Sequence, residues 1–168
     1  TQGMNELGKA MFDTYGVRAQ YHPHADSHVD TEANVYRFLD GTDGEFVNLC
    51  LDTGHISYCG GGNIAIIPRA PQRVGHPHLK QVDPPGRAKG EGEDLPFGEA
   101  VKLGAMTEPP HGIPDMPPLL AEIEKLGIDV FAIVEQDMYP CEPDAPLPIA
   151  TRTRKYLGSC GIPSVTFS

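Results

Sequence analysis

The sequence contains no run of eighteen apolar residues, so no stretch of it reads as a bilayer-spanning helix. Positive charge is scarce. Thirteen Lys and Arg face twenty-three Asp and Glu, for a net charge of −10 and a pI near 5.0. A surface of that sign excludes nucleic acid and anionic membranes as main partners, because phosphate groups need a basic surface. The four cysteines, at 50, 59, 141 and 160, form no C-x-x-C pair. That spacing excludes a zinc ribbon or a small disulfide scaffold and leaves reduced thiols in a cytoplasmic protein as the expectation. No phosphate-cradling glycine loop stands out, "CGGGN" being a weak candidate at a helix start. Neither a repeat nor a linker divides the chain, so residues 1–168 read as one domain. The sequence opens on Thr1 without a secretory leader, as a piece of a longer protein would.

What is present is enough for a core, with 39% apolar residues. Nineteen glycines and seventeen prolines point to many turns rather than a helical bundle. "MNELGKAMFDTYG" places Met4, Leu7, Met11 and Phe12 on one helical face and stops at Gly16. "VRAQYHPH", residues 17–24, alternates as a strand does. "DTEANVYRFLD" predicts a helix with Asp30 as its N-cap. "FVNLCLD" is a second strand, "NIAIIPRA" a short helix ending near Pro68, and "RVGHPHLKQVD" a third strand. A polar, glycine-rich loop spans 84–112, with one short helix at "FGEAVKL". "DMPPLLAEIEKLG" is a helix between Asp115 and Gly127, "VFAIVEQD" a fourth strand, and "IATRTRKYLGSCG" a last helix. A helix followed by four β-α units implies parallel strands with right-handed crossovers.

Every strand ends in side chains that bind metals. The first closes with His22 and His24, the second with Asp52 and then His55. The third carries His76, His78 and Lys80, and the fourth Glu135, Gln136 and Asp137. Period two sets Asp52 with Asn48 and Cys50, opposite Val47, Leu49 and Leu51. The polar candidates therefore converge at one end of the strands, where (β/α)8 barrels build their sites. A mixed imidazole and carboxylate set suits Mn²⁺, Co²⁺, Fe²⁺ or Mg²⁺, and imidazole pulls it away from the hardest ions. Such an ion could hold a hydroxy-ketone and stabilise the enediolate left by a departing α proton.

Each motif also has a plainer reading. "HPHADSH" alone is a polar turn, and "LDTGH" a strand with a capping aspartate. "HPHLK" alone is the edge of a polar strand, and Cys50 and Cys59 are packing or loop residues. The joint pattern, four successive strands with ligand-type ends on compatible faces, favours the metal reading.

"YHPHADSHVDTEANVYRFLD", "LCLDTGHISYCGGG", "HPHLKQVD", and "FAIVEQDMYP" followed by "ATRTRKYL" resemble the sugar isomerase/epimerase superfamily with its xylose isomerase-like TIM barrel. Within it they are most similar to the inosose dehydratase group. The resemblance implies metal ligands at His22, Asp52, His78 and Glu135. It implies Glu135, His55 and Lys80 as catalytic groups, and His24, His55 and Lys80 as substrate-binding ones. The metal would be Mn²⁺ or Co²⁺, with Mg²⁺, Fe²⁺ and Zn²⁺ as alternatives, and the substrate a sugar- or inositol-derived ketone. Epimerases of this superfamily place a glutamate where His22 stands. Losing one of two paired carboxylates favours a dehydratase or one-base isomerase over a two-base epimerase.

A full barrel needs about eight β-α units. The chain is therefore expected to be the C-terminal half of one, four parallel strands alternating with helices. Its open edges would be covered by a missing N-terminal half or by a second copy. An inactive half-barrel acting as an assembly module is the rival from another class, and metal-dependent cleavage of abasic DNA, known of one relative, is disfavoured by the acidic surface. The 84–112 segment is a candidate lid or a solvated insertion, and His111 within it an exposed loop residue.

Overall fold

The computed structural model describes residues 1–161. Helix α1 (Gln2–Tyr15) ends where Gly16 turns left-handed, at φ 68°, and gives its N–H to the Phe12 carbonyl. Its contact residue is Gly8. A Cβ there would sit 2.8 Å from Val47 Cγ2 and 3.0 Å from the Phe46 carbonyl oxygen, so the helix lies directly against the strand. Leu7, expected on the packed face, is 53% exposed, because the close approach is made by glycine one position on.

Strands β1 (Ala19–Tyr21) and β2 (Val47–Leu49) pair in parallel with Gln20 opposite Asn48. Parallel bridges continue from β2, Leu49 to Val74 and Asp52 to His78. Strand β3 (His78–Leu79) pairs in parallel with β6 (Ile133–Val134). The expected four long strands are therefore short segments in two-stranded sheets, linked by single bridges. The third expected strand, 73–83, is split. Its first half serves the parallel set, while β4 (Gln81–Val82) pairs antiparallel with β5 (Met106–Thr107).

Helix α2 (Glu32–Asp40) is capped by Thr31, whose hydroxyl accepts from the Asn34 N–H, rather than by Asp30. Helix α3 (Thr53–Tyr58) begins at once after the second strand and leads to α4 (Asn63–Arg69) and a 3-10 turn, Pro71–Arg73. The segment expected as a loop with one short helix is folded into α5 (Pro84–Gly92), α6 (Phe97–Lys102), which is the expected helix, and β5. Asp83 caps α5 through the Gly86 N–H, and Pro84 fits the first turn, where no N–H is needed. Helices α7 (Met116–Glu124) and α8 (Pro146–Ser159) complete the described chain, Asp115 standing at the start of α7 without bonding a helix N–H.

Leu49, Leu51, Ile56, Ile66, Val74, Leu79, Met116 and Leu119 form the main core between strands and helices. Asn48, Cys50 and Asp52 are buried on the other face of β2 and its continuation. A second cluster, Ala25, Val82, Phe97 and Met106, joins the folded insertion to the first and third strand ends. Beside β6 the surface is apolar and open, with Phe131 81% and Ile133 41% exposed. Among the described residues no helix is long and apolar enough to cross a membrane.

Candidate metal centre and active site

Asp52 stands at the N-cap of α3, and this local fold aims its carboxylate. One oxygen, Oδ1, accepts the N–H groups of Gly54 and His55, each at 2.9 Å. The other, Oδ2, is left to face the strand ends. Around it lie His22 Nε2 at 3.2 Å, His78 Nδ1 at 3.4 Å and Lys80 Nζ at 3.1 Å. Glu135 Oε2 is 2.6 Å from His78 Nδ1 and 3.4 Å from Lys80 Nζ. The structure thus gathers His22, Asp52, His78 and Glu135 at one place. Donor atoms of Asp52, His78 and Glu135 lie within 4.8 Å of one another, as do those of His22, Asp52 and His55. The two trios meet at Asp52.

The donor set fits a divalent cation. His78 Nδ1 and Glu135 Oε2 are buried atoms 2.6 Å apart, yet neither has a hydrogen-bond partner, since their mutual orientation does not form one. Two converging lone-pair carriers without a shared hydrogen bond are the arrangement that a cation between them satisfies. Mixed nitrogen and oxygen donors suit transition metals better than Ca²⁺.

These groups are also coupled to one another electrostatically. Burial alone would raise the Asp52 carboxyl. The imidazoles of His22 and His78 and the charge of Lys80 outweigh it and hold Asp52 well below the usual carboxylate range. The nearness of Asp52 is the largest influence on His78 and, with Glu135, raises its pKa against burial. Lys80 has no solvent exposure, and burial works against its charge. Asp52, Asp137 and Glu135 more than compensate and keep it an ammonium. Its Nζ donates to Asp137 Oδ2 at 3.0 Å. Cys50, within reach of His22 and His78, has its thiol pushed up to about 12 by burial and by the neighbouring carboxylates.

The histidines differ in state. Burial pushes His55 down to about 3, the pull of Asp52 offsetting it only in part, so it is neutral at pH 7. Its Nδ1 faces the Ala25 N–H at 3.4 Å and its Nε2 faces the Lys80 ammonium at 3.3 Å; both neighbours are donors, and a neutral imidazole accepts at only one of its nitrogens. His24 is exposed, and its ring stacks on His55 with centroids 3.8 Å apart. Its Nδ1 is 2.7 Å from the Ala25 carbonyl oxygen and must donate there. The tautomer with the proton on Nδ1 leaves Nε2 as its acceptor nitrogen.

Asp137, expected as a ligand-type residue at the end of the fourth strand and two residues after Glu135 on the same strand face, binds Lys80. One site residue escaped the sequence reading. Phe97 lies against His24 and His55, with ring centroids 5.3 and 4.9 Å away. It opens the short helix expected at "FGEAVKL", but nothing in that local pattern marks it as a site residue. His111 is exposed and lies outside the cluster.

Residues 1–157 match the family described as xylose isomerase-like TIM barrel. The chain is 31% identical over 155 residues to an inosose dehydratase of Clostridium botulinum (strain Eklund 17B / Type B), a match covering 92% of this chain and 51% of that enzyme. Among solved structures it superposes on the "probable 3-DHS dehydratase AsbF" of Bacillus anthracis with a TM-score of 0.69 at 16% identity, covering 92% of this chain and 55% of that one. The IOLI protein with a bound zinc atom gives a TM-score of 0.62 at 17% identity, covering 94% and 51%. These likenesses show an α/β fold of the TIM-barrel type. The chain spans about half the length of the curated relatives it matches.

Proposed function

The chain belongs to the xylose isomerase-like TIM-barrel family, and from that premise we propose that its strand-end cluster serves a metal-dependent lyase of the inosose dehydratase kind, acting on a ketone derived from an inositol or a sugar. The observation that carries this reading is the pair His78 Nδ1 and Glu135 Oε2, 2.6 Å apart and without hydrogen-bond partners, beside Asp52 Oδ2. His22, Asp52, His78 and Glu135 would hold the cation, Mn²⁺ or Co²⁺ by the chemistry of the donors. When bound, it would polarise the substrate carbonyl and favour loss of the neighbouring proton.

The chain's own groups supply the proton transfers. Glu135 and His24 are the bases in reach. The tautomer of His24, with Nδ1–H held by the Ala25 carbonyl, leaves Nε2 free to accept the α proton. Removal of that proton leaves an enediolate. Lys80, held as an ammonium by Asp52 and Asp137, can give a proton to the departing β-hydroxyl, so that water leaves and a double bond forms. His55, neutral and in contact with Lys80 Nζ through Nε2 at 3.3 Å, positions that ammonium rather than acting as an acid itself. In an isomerase the proton would instead return to the adjacent carbon.

The test is turnover of a ketoinositol by the full chain loaded with Mn²⁺ or Co²⁺, followed by the absorbance of the unsaturated product. Loss of turnover in Glu135→Gln and His24→Ala, with wild-type activity present, supports the assignment. A wild-type protein that binds metal tightly and dehydrates no ketoinositol contradicts it.

One observation favours a second reading, in which the chain is an assembly module. The face beside β6 exposes Phe131, Ile133 and Val134, a surface that a further set of parallel β-α units, in the same protein or in a second copy, would cover. Metal binding without turnover, together with a concentration-dependent dimer, would favour it.

A further inference from the structure

The successive residues Asp52, Thr53, Gly54 and His55 close on one lysine. Asp52 Oδ2 and His55 Nε2 lie 3.1 and 3.3 Å from Lys80 Nζ. Gly54 lies against the stem, where a Cβ would sit 2.6 Å from Lys80 Cγ and Cδ. Thr53 takes the main chain. Its hydroxyl donates to the Lys80 carbonyl oxygen at 2.7 Å and accepts the Lys80 N–H at 2.9 Å. One hydroxyl therefore satisfies both backbone groups of residue 80, and Thr53 is fully enclosed, at 0% exposure.

Lys80 needs such a partner because of where it stands. Strand β3 ends at Leu79 and pairs in parallel, while β4 begins at Gln81 and pairs antiparallel. Residue 80 falls between the two ladders, and among the described residues its N–H and carbonyl bond no other backbone group. A side chain from the start of α3 replaces the missing ladder bonds. Thr53 is itself anchored. Its carbonyl oxygen accepts from Asn63 Nδ2 at 2.9 Å. Asn63, 2% exposed, also donates to Ser57 Oγ at 2.8 Å, so the start of α4 braces α3. The one hydroxyl proton of Thr53 is committed to Lys80, so Thr53 acts on the chemistry through that residue.

We propose that Thr53 is the positioning residue for Lys80, and that its paired bonds to the main chain at 80 hold the ammonium where it meets the departing hydroxyl. The inference rests on the functional reading above and adds to it the residue on which placement of the acid depends. In that step a proton passes from Nζ to the hydroxyl oxygen as the C–O bond breaks. The electron pair left by the α proton becomes the double bond. Water and a neutral amine remain, and the amine takes its proton back from solvent. Without the Thr53 hydroxyl, residue 80 is free to shift, and a misplacement of about 1 Å costs on the order of a hundredfold in rate.

Thr53→Val removes both bonds at nearly constant shape, and Thr53→Ser keeps them. Each variant is assayed as the Co²⁺-loaded full chain on ketoinositol and on a ketoinositol with fluorine in place of the departing hydroxyl. Fluoride leaves without a proton from Lys80, so only the first substrate needs the acid. Thr53→Val should lower kcat on ketoinositol about a hundredfold, with KM and Co²⁺ content unchanged. Its kcat on the fluoro substrate should stay at the wild-type value. Thr53→Ser should match wild type on both. Equal losses on the two substrates overturn the proposal, as does an unchanged kcat in Thr53→Val, or a loss in Thr53→Ser as large as in Thr53→Val. Crystals of Thr53→Val give a readout independent of turnover. Displacement of Lys80 Nζ by about 1 Å is expected, and an unmoved Nζ overturns the proposal. Wild type that turns over neither substrate overturns the dehydratase reading alone, and the Nζ position then decides whether Thr53 places Lys80.

Discussion

Lys80 Nζ lies 3.1 Å from Asp52 Oδ2, and neither side chain is exposed to solvent. The ammonium therefore sits against the same oxygen that a bound cation would use. Removing one member of a buried pair strands the other charge, at a cost of about 3–5 kcal/mol.

Lys80→Met should lower the stability of the metal-free chain by about that amount in urea unfolding. The same variant should bind Co²⁺ at least about tenfold more tightly, because a like charge has been taken from the cation's side. Equal Co²⁺ affinity in both proteins would show that Lys80 does not face the ion.

Stability of the metal-free chain should depend on pH in two opposed ways. His55 is held near 3, below its unfolded value of about 6.5. Its contribution, a few kcal/mol, is present above pH 6.5 and lost as pH falls from there toward 3. Asp52, held below its usual range, adds a further loss below about pH 3.9. His78 is shifted the other way, so its contribution is present below 6.5 and lost as pH rises through its raised value. Urea midpoints measured across this range should peak slightly above neutral-histidine pH, near 6.5–7 by these reference values. His55→Gln should flatten the acid limb between pH 6.5 and 4. An acid limb unchanged in that variant would assign the loss to other groups.

Gly54 is a position where space decides the outcome. A Cβ there would lie 2.6 Å from both Cγ and Cδ of Lys80. Lys80 is enclosed and cannot move aside, so Gly54→Ala should cost about 1–3 kcal/mol. Gly3, in α1 with nothing within 4 Å, is the control. Gly3→Ala should be neutral or stabilising by up to about 1 kcal/mol. Thermal melts of the two variants check the contrast.

Much of the site was legible because strand geometry is periodic. Asn48, Cys50 and Asp52 share one face while Leu49 and Leu51 lie in the core, as alternation requires. Strand length was not legible. Hydrogen-bonded pairing covers three residues of β1 and two of β6, though their apolar patterns run longer. Helix α3 was missed because six residues starting on a capping aspartate are too short to display a helical period. Within the insertion α5, PPGRAKGEG, is not legible because it carries almost no apolar residue, its burial coming through Gly86 and Gly90. Gly90 allows the approach, since a Cβ there would sit 2.9 Å from that of Ala100. Phe97 reaches the site only through that packing, so no local pattern could place it there.

The most direct test of the metal centre is anomalous scattering from a crystal of the chain grown with Mn²⁺. The account predicts one strong peak about 2.0–2.3 Å from His22 Nε2, Asp52 Oδ2, His78 Nδ1 and Glu135 Oε2, the range of metal–ligand bonds to nitrogen and oxygen. That peak should vanish in His78→Ala. An absence of anomalous density among the strand ends, or a peak bound by other residues while these side chains keep their positions, would contradict it.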